Sequence, residues 1–142
     1  MFVKNTTGSI VVKKRSDSQY IPETLKRKYQ HEISNWIKKH AKTNLDKGPE
    51  IVDVTISKNL VILSISNYLT KYEKFVIETM SNSKESIKKS RLFVDMAVIQ
   101  DGTVNHYIES SLNVKVLGHM FEAVVEEDFS LWIVLLDTHL TQ

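Results

Sequence analysis

Cysteine is missing from the 142-residue chain. A disulfide framework, a thiolate nucleophile and a cysteine-bound zinc or iron–sulfur site are therefore excluded. Long apolar runs are missing too, because nowhere do 18 apolar residues follow one another, and the N-terminal apolar run is too short for a signal peptide. These absences predict a soluble protein of the reducing cytoplasm.

Glycine and proline are scarce, with four glycines and two prolines. Widely spaced glycines build neither a Walker loop nor a dinucleotide-binding fingerprint. Gly48 and Pro49 follow a helical pattern, so we expect Gly48 to be a left-handed C-cap and Pro49 to stop the helix. Gly102 predicts a kink or break within a helix, and Gly118 predicts a bulge or a close backbone approach.

The two parts of the chain carry opposite charge, although the total is only +2. Residues 1–47 hold 11 Lys/Arg against 4 Asp/Glu (+7), and residues 48–142 hold 8 against 13 (−5). A basic segment suits an acidic partner protein, an anionic membrane surface or nucleic acid, but a solvated helix face also explains it. Nucleic acid is the weakest candidate, because no aromatic residues interleave with the basic ones.

The first helix is the strongest periodic signal in the chain. Apolar residues from Leu25 to Leu45 recur at spacings of three and four and predict a helix over residues 22–45. Its opposite side gives a candidate basic interaction face, which consists of Lys26, Arg27, Lys38, Lys39 and Lys42.

Helices are also predicted in the middle of the chain. Thr70 and Glu73 form a capping box, which indicates the start of a short helix. After a polar break, Ser83 or Ser86 is expected to cap a further helical stretch that ends near residue 111.

Two stretches show the period of two that is typical of strands. Residues 50–66 predict a β-hairpin with a tight turn at Lys58 and Asn59, where Asn tolerates a positive φ. A second hairpin closes the chain. The second strands of the two hairpins, Leu60–Ile65 and Leu131–Leu136, are apolar on both faces, as expected of strands that are covered on each side.

The predicted fold class is α+β, with a four-stranded, mostly antiparallel sheet from two β-hairpins, packed by helices on one face. The element order is helix, hairpin, helix, helix, hairpin. Residues 1–20 are predicted to be a flexible basic N-terminal arm with room for one short strand, and residues 21–142 a single domain. Because two strands are apolar on both faces, the second sheet face needs a cover. A homodimer is the simplest cover, with the arm or another protein as alternatives.

No residue set predicts a reaction. Ser81 and Ser86 each precede a lysine at Ser-x-x-Lys spacing, but the companion motifs of that acyl-transfer family are missing. Glu126, Glu127 and Asp128 are expected to be an ordinary acidic hairpin tip. We therefore predict a non-enzymatic protein with no catalytic residue, cofactor or metal. The histidines form no ligand or acid–base pattern and are expected to be structural or solvated; they are His31, His40, His106, His119 and His139.

The alternative is a regulator or enzyme that binds a small molecule or a metal. Its ligand would occupy a pocket between the helices and the sheet. The candidate residues for that pocket are Arg91, His106 and Tyr107.

Three stretches, residues 46–65, 67–76 and 111–116, resemble the MpsC-like family. The family pattern joins a Gly-Pro turn after a helix to a hairpin, a Leu-Thr-x-x-Glu-Lys helix start and a basic helix. The resemblance extends over about residues 27–138, and Asp46 and Asn113 stand where the pattern has glycines. The matching positions are Gly48, Pro49, Leu69, Thr70, Glu73, Lys74 and Arg91.

The resemblance implies an accessory component of a bacterial sodium-translocating, membrane-potential-generating system, without an established reaction. Such a component is expected to lie in the cytoplasm, peripheral to the inner face of the membrane. The basic first helix gives it a means to dock, either on a protein of the membrane complex or on the anionic membrane surface, with an affinity that falls as salt rises.

Overall fold

The computed structural model describes residues 2–4, 12–13, 20–45 and 47–142. The N-terminal arm contributes one short strand, β1, and most of the arm lies outside the described residues. In chain order the elements are β1 (Phe2–Lys4), α1 (Glu23–Asn44), β2 (Ile51–Ser57), β3 (Leu60–Ser66), α2 (Lys71–Thr79), α3 (Ser83–Gln100), α4 (Thr103–Leu112), β4 (Val116–Val124) and β5 (Phe129–Leu136).

The four long strands form an antiparallel sheet in the order β4-β5-β3-β2, so the predicted α+β fold with two hairpins is confirmed. The short strand β1 extends the sheet beyond β4. The central pair, β3 and β5, are the strands that are apolar on both faces. Their central position explains that composition, because a central strand has neighbours on both sides and little room for charge.

One face of the sheet, called the covered face below, is buried under the helices. Along β2, β3 and β5, alternate residues are buried, and the register aligns Leu63 with Val54 and Trp132 across the sheet. Helix α1 packs against β2, while α3 and α4 pack against β4. The covered face consists of Val52, Val54, Ile56, Val61, Leu63, Phe121, Trp132, Val134 and Leu136, which share one core with buried residues of α1, α3 and α4.

The other face, called the open face below, is apolar but only partly buried. Ile62 and Ile133 lie opposite each other at its centre, and Met120 beside them is 48% exposed. Ile51, at its margin, is 49% exposed. This side of the sheet also carries Asp53, Thr55, Ser64 and Glu122. The apolar residues of the open face include Phe2, Ile51, Leu60, Ile62, Met120, Leu131, Ile133 and Leu135.

The outer edges of β2 and β4 are both hydrogen-bonded to other parts of the chain. On β2, the backbone N–H of Ile56 donates to Gln30 Oε1 at 2.9 Å, and Ser34 Oγ donates to the carbonyl of Val52 at 2.6 Å. Strand β1 pairs with the outer edge of β4 from Gly118 to Met120. Helix α1 and β1 therefore occupy backbone groups that another chain would need in order to extend the sheet.

Several local predictions are confirmed. The capping box is present, since Thr70 Oγ1 accepts from the Glu73 backbone N–H and Glu73 Oε1 accepts from the Thr70 backbone N–H. Gly102 separates α3 from α4 with a φ of 81°. At Gly118 the register of β4 against β5 shifts, which is the expected bulge.

Three local predictions are wrong. The C-cap of α1 is Leu45 in an extended conformation, and Gly48 has no positive φ. A Cβ atom at Gly48 would lie 3.0 Å from the Lys42 backbone nitrogen. The close approach of this turn to α1 therefore explains the glycine. The tight turn at Lys58 and Asn59 is present as predicted, but its positive φ falls on Lys58 and not on Asn59. The N-cap of α3 is Asn82, and Ser83 instead donates its hydroxyl to carbonyls of α2 and Met80.

Candidate functional site

A half-open cavity of about 70 Å³ lies between α1, α3 and the covered face. Its apolar lining comes from the core, including Ile37, Ile65 and Trp132. Apolar cavities with a few convergent polar groups are the usual form of small-molecule sites. The polar groups that line it are His40, Lys47, Tyr68, Arg91, Asp95 and Ser130.

Arg91 fixes α3 to the start of α2. Its Nε donates to Glu73 Oε2 at 2.8 Å, and its Nη2 donates to Glu73 Oε1 and, at 3.3 Å, to the Tyr68 carbonyl. The two side chains are 12% and 14% exposed. Burial would raise the pKa of Glu73, but the hydrogen bonds from Arg91 and Thr70 outweigh it and hold the pKa below its usual value. The guanidinium is thus committed to a structural ion pair.

Asp95 follows Arg91 by one helical turn and also lines the cavity. Burial raises the pKa of its carboxyl to about 7, although the positive charge of Arg91 acts in the opposite direction. Among the described residues, Arg91 is its charge partner, and no hydrogen bond to the carboxylate is found. Sequence reasoning missed Asp95, because a lone acid in an amphipathic helix is ordinarily solvated.

His40 contributes a ring with one nitrogen that has no hydrogen-bond partner in the described part of the chain. Its ring stacks on Trp36 at a centroid distance of 4.6 Å, and Trp36 stacks in turn on Tyr107 at 4.1 Å. The Nδ1 atom lies 3.4 Å from the Asn44 amide nitrogen, whereas Nε2 is buried and has no partner in the described part of the chain. The sequence predicted that the histidines are either structural or solvated. His40 fits neither description completely, because its ring is stacked on Trp36 while its buried Nε2 has no hydrogen-bond partner in the described part of the chain.

The loop that carries Tyr68 is held by the acidic hairpin tip. Asp128 Oδ1 accepts the backbone N–H groups of Tyr68 and Leu69, each at 2.9 Å. Its Oδ2 lies 3.2 Å from the Lys74 ammonium. Burial raises the pKa of the Tyr68 hydroxyl. Asp128 thus positions one wall of the cavity, and Lys74, a residue of the family pattern, helps to hold it.

His119 is a structural histidine of the covered face. It is fully buried, its Nδ1 accepts from Trp132 Nε1 at 3.0 Å, and its Nε2 lies 2.6 Å from Asn105 Oδ1. Because Nδ1 accepts, Nε2 carries the proton in the neutral ring. Burial lowers the pKa of His119 to about 4. In the described ranges, no group of three or more His, Asp or Glu side chains is placed to hold a metal.

The pocket residues expected from the sequence do not come together. Arg91 lines the cavity, but His106 is exposed and Tyr107 packs on Trp36, so neither belongs to the lining. His31 is exposed on α1 and His139 lies beyond β5, so the five histidines are dispersed.

The candidate basic interaction face divides into two halves. Lys26 and Arg27 lie 3.5 and 3.6 Å from the carboxylate of Glu23, so their charge is partly balanced. The other half has no ion pair within the described residues and borders a groove beside the turn at residues 48–50. The groove is lined by Lys38, Lys39 and Lys42 of this half together with Lys47, which was not part of the predicted face. These four residues are called the lysine groove below.

The residues of the family pattern form turns, cap helices and hold neighbouring elements together. Leu69 is buried in a small second core beneath α2, and Thr70 and Glu73 start α2. Asn113, which stands where the pattern has glycine, ends α4 with a φ of 53°, a conformation that glycine and asparagine both tolerate. Asp46, at the other such position, lies outside the described residues.

A family model described as "Na+-translocating membrane potential-generating system (MpsC)" matches residues 25–138. The chain belongs to the MpsC family. No curated protein and no solved structure matches the chain. In this MpsC-family chain, none of the helices within the described residues combines the length and the apolar character needed to cross a membrane.

Proposed function

We propose that this MpsC-family chain is a non-catalytic interaction domain that serves a sodium-translocating membrane system from the cytoplasmic side. Two copies join through their open faces, and the lysine groove contacts the anionic membrane surface. The observation that carries the proposal is the open face, because an apolar sheet surface of this extent is unusual on a free monomer.

The chemistry of the open face favours a second copy as its cover. The charged residues on this side of the four long strands are Asp53 and Glu122, which lie on the outer strands β2 and β4. A centre without charge is best matched by another apolar sheet, and the chain itself carries one. Two stacked sheets would form a sandwich core with the helices outside.

The size of the open face suits a dimer of modest affinity. Four strands are about 19 Å wide at the usual spacing, and seven residues of strand are about 23 Å long. Because side chains protrude from the sheet, the accessible area of this face is larger than the product of its width and length, and it approaches the roughly 800 Å² per partner of a standard interface.

Other routes to a cover are less favoured. The edge contacts of Ser34 and Gln30 on β2, and of β1 on β4, oppose sheet extension by a partner strand. The described anchors of the N-terminal arm lie at one end of the sheet, beside the Lys58 turn: Lys4 pairs with Gly118, Lys13 bonds to Asp137 and His139, and Ile21 bonds to Leu140.

Ile133→Glu tests the dimer, because it places a charge at the centre of the open face. Light scattering after gel filtration, over a range of concentrations, should show a wild-type dimer that dissociates on dilution and a variant that stays monomeric. Phe75→Glu is the matched control, since Phe75 is 62% exposed on α2, away from the sheet. A wild type that stays monomeric at high concentration would overturn the homodimer, and equal effects of both variants would overturn the assigned surface.

Flotation with liposomes tests the lysine groove. Binding to vesicles with anionic lipid should be present at low salt, weaken at high salt, and be absent with neutral lipid. The double variant Lys39→Gln, Lys42→Gln should lose most binding. The control Lys26→Gln, Arg27→Gln removes the same charge from residues that pair with Glu23, and should lose less. Absence of binding at both salt concentrations would contradict lipid contact and leave an acidic partner protein as the ligand of this groove.

A further inference from the structure

In the part of the chain that the structure describes, the cavity between α1, α3 and the covered face is lined by a carboxylate without a hydrogen-bond donor and by a histidine ring with one unsatisfied nitrogen. Within the described residues, the carboxylate of Asp95 has no hydrogen-bond donor, and His40 Nε2 is buried without a partner. Buried polar groups without partners cost free energy, so native proteins rarely retain them without a use or an ordered water. The half-buried carboxylate of Asp95, with no donor among the described residues, and the buried His40 nitrogen, with no partner there, together indicate that something else binds in this cavity.

The positive groups of the cavity are already engaged. Arg91 donates to Glu73 and to the Tyr68 carbonyl, and Lys47 Nζ donates to the Leu69 carbonyl at 2.8 Å. Within the described residues, neither of them donates a hydrogen bond to Asp95. A carboxylate with no donor accepts most strongly from a cationic donor, and an ammonium group supplies three N–H donors.

The end of α1 adds to this preference. Ala41, in its last turn, and the C-cap residue Leu45 line the cavity. A helix C-terminus carries partial negative charge and favours cations within about one turn. The dipole of α1 and the charge of Asp95 thus act in the same direction.

We propose that this cavity binds a small aliphatic amine, with the ammonium group against Asp95 and the alkyl group against the apolar wall formed by Ile37, Ile65 and Val98. The site goes beyond the proposed docking function, which uses the opposite face of the sheet. At about 70 Å³ the cavity is smaller than an engineered cavity of about 150 Å³ that holds benzene, so the ligand is an alkylamine of a few carbon atoms.

NMR titration of the full chain with propylamine tests the site, with propanol and propionate as neutral and anionic probes of similar size. Propylamine should bind saturably and shift the resonances of Val98 and the Trp132 indole, while the other two should not. Asp95→Asn should weaken propylamine binding at least about tenfold, as expected for loss of a hydrogen bond to a charged group. Glu85→Gln, an exposed acid on the same helix, is the matched control and should bind as the wild type does.

Three results would overturn the proposal. These are no saturable binding of propylamine, equal binding of propylamine and propanol, or wild-type affinity in Asp95→Asn. The first result would leave a cavity that holds water alone. If Asp95→Asn fails to fold, the comparison of propylamine with propanol on the wild type still decides. Loss of the dimer in Ile133→Glu would not affect this result, so the two proposals fail separately.

Discussion

The two faces of the sheet differ far more in their neighbours than in their composition. Leu63 and Ile62 are adjacent in β3 and similar in size, yet Leu63 is completely buried beneath the helices and Ile62 is partly exposed on the open face. In β5, Trp132 is likewise buried beneath the helices, and its neighbour Ile133 is partly exposed on the open face. Strand composition thus shows that two faces avoid water, while only the placement of the helices shows which of them the chain covers itself.

Alanine substitutions at Leu63 and Ile62 should show the largest difference between the faces. Leu63→Ala leaves a cavity in the core and should lower the free energy of unfolding by about 3 kcal/mol, whereas Ile62→Ala should cost the monomer about 1 kcal/mol or less. Urea denaturation at low protein concentration measures both. Equal losses would mean that the open face is covered within the monomer.

Ion pairs on the two sides give the next comparison. Glu73→Gln removes the charge that Arg91 needs in its half-buried position and should cost about 2 kcal/mol, with the capping hydrogen bonds largely retained. Glu122→Gln removes the 2.7 Å pair with Lys88 on the exposed side of β4 and should leave stability unchanged within error. Thermal unfolding of both variants would check this, and a larger loss for Glu122→Gln would contradict it.

In the wild type, the pH dependence of stability gives the smallest effect, because two groups under the covered face act in opposite directions. Native His119 stays neutral down to about pH 4 while an unfolded histidine takes up its proton near 6.5, so its contribution to stability is lost as pH falls through this window. Native Asp95 keeps its proton up to about 7 while the unfolded carboxyl loses it near 3.8, so its contribution is lost as pH rises. Between about pH 4 and 6.5 the two slopes oppose each other.

Asp95→Asn should therefore reveal how the titration of His119 changes the free energy of unfolding with pH. Stability of the variant should fall as pH is lowered from 6.5 to 4, by at most about 1.4 kcal/mol per pH unit, while the wild type changes less. Glu85→Gln, an exposed acid on the same helix as Asp95, is the control and should keep the wild-type profile. Urea unfolding at several pH values measures this, and identical profiles for Asp95→Asn and wild type would show that Asp95 titrates normally.

Sequence patterns predicted the elements because each depends on neighbours along the chain. The stripe from Leu25 to Leu45, the capping box at Thr70 and the break at Gly102 are all local, and the structure confirms them. The prediction for Gly48 was wrong because it considered only the local backbone conformation. Glycine is required there because the backbone of α1 leaves little space for a side chain, and not because of a positive φ.

The candidate site was harder to predict, because its residues are far apart in sequence. His40, Tyr68 and Asp95 lie on α1, on a loop and on α3, and meet in one cavity. Nothing in the segment around Asp95 distinguishes it from a solvated acid, since its burial depends on packing of α3 against the sheet. Arg91 was found through the family pattern, which carries information about tertiary contacts that periodicity does not.

The sequence by itself determined the helices, the two hairpins and the presence of two apolar sides on the central strands, since periodicity and capping act over a few residues. Only the tertiary structure decided the strand order, the covered face, and the burial of Asp95 and His40 beside one cavity. The physical reason is that burial and electrostatic environment arise from elements packed in space, and distant segments supply most of that packing.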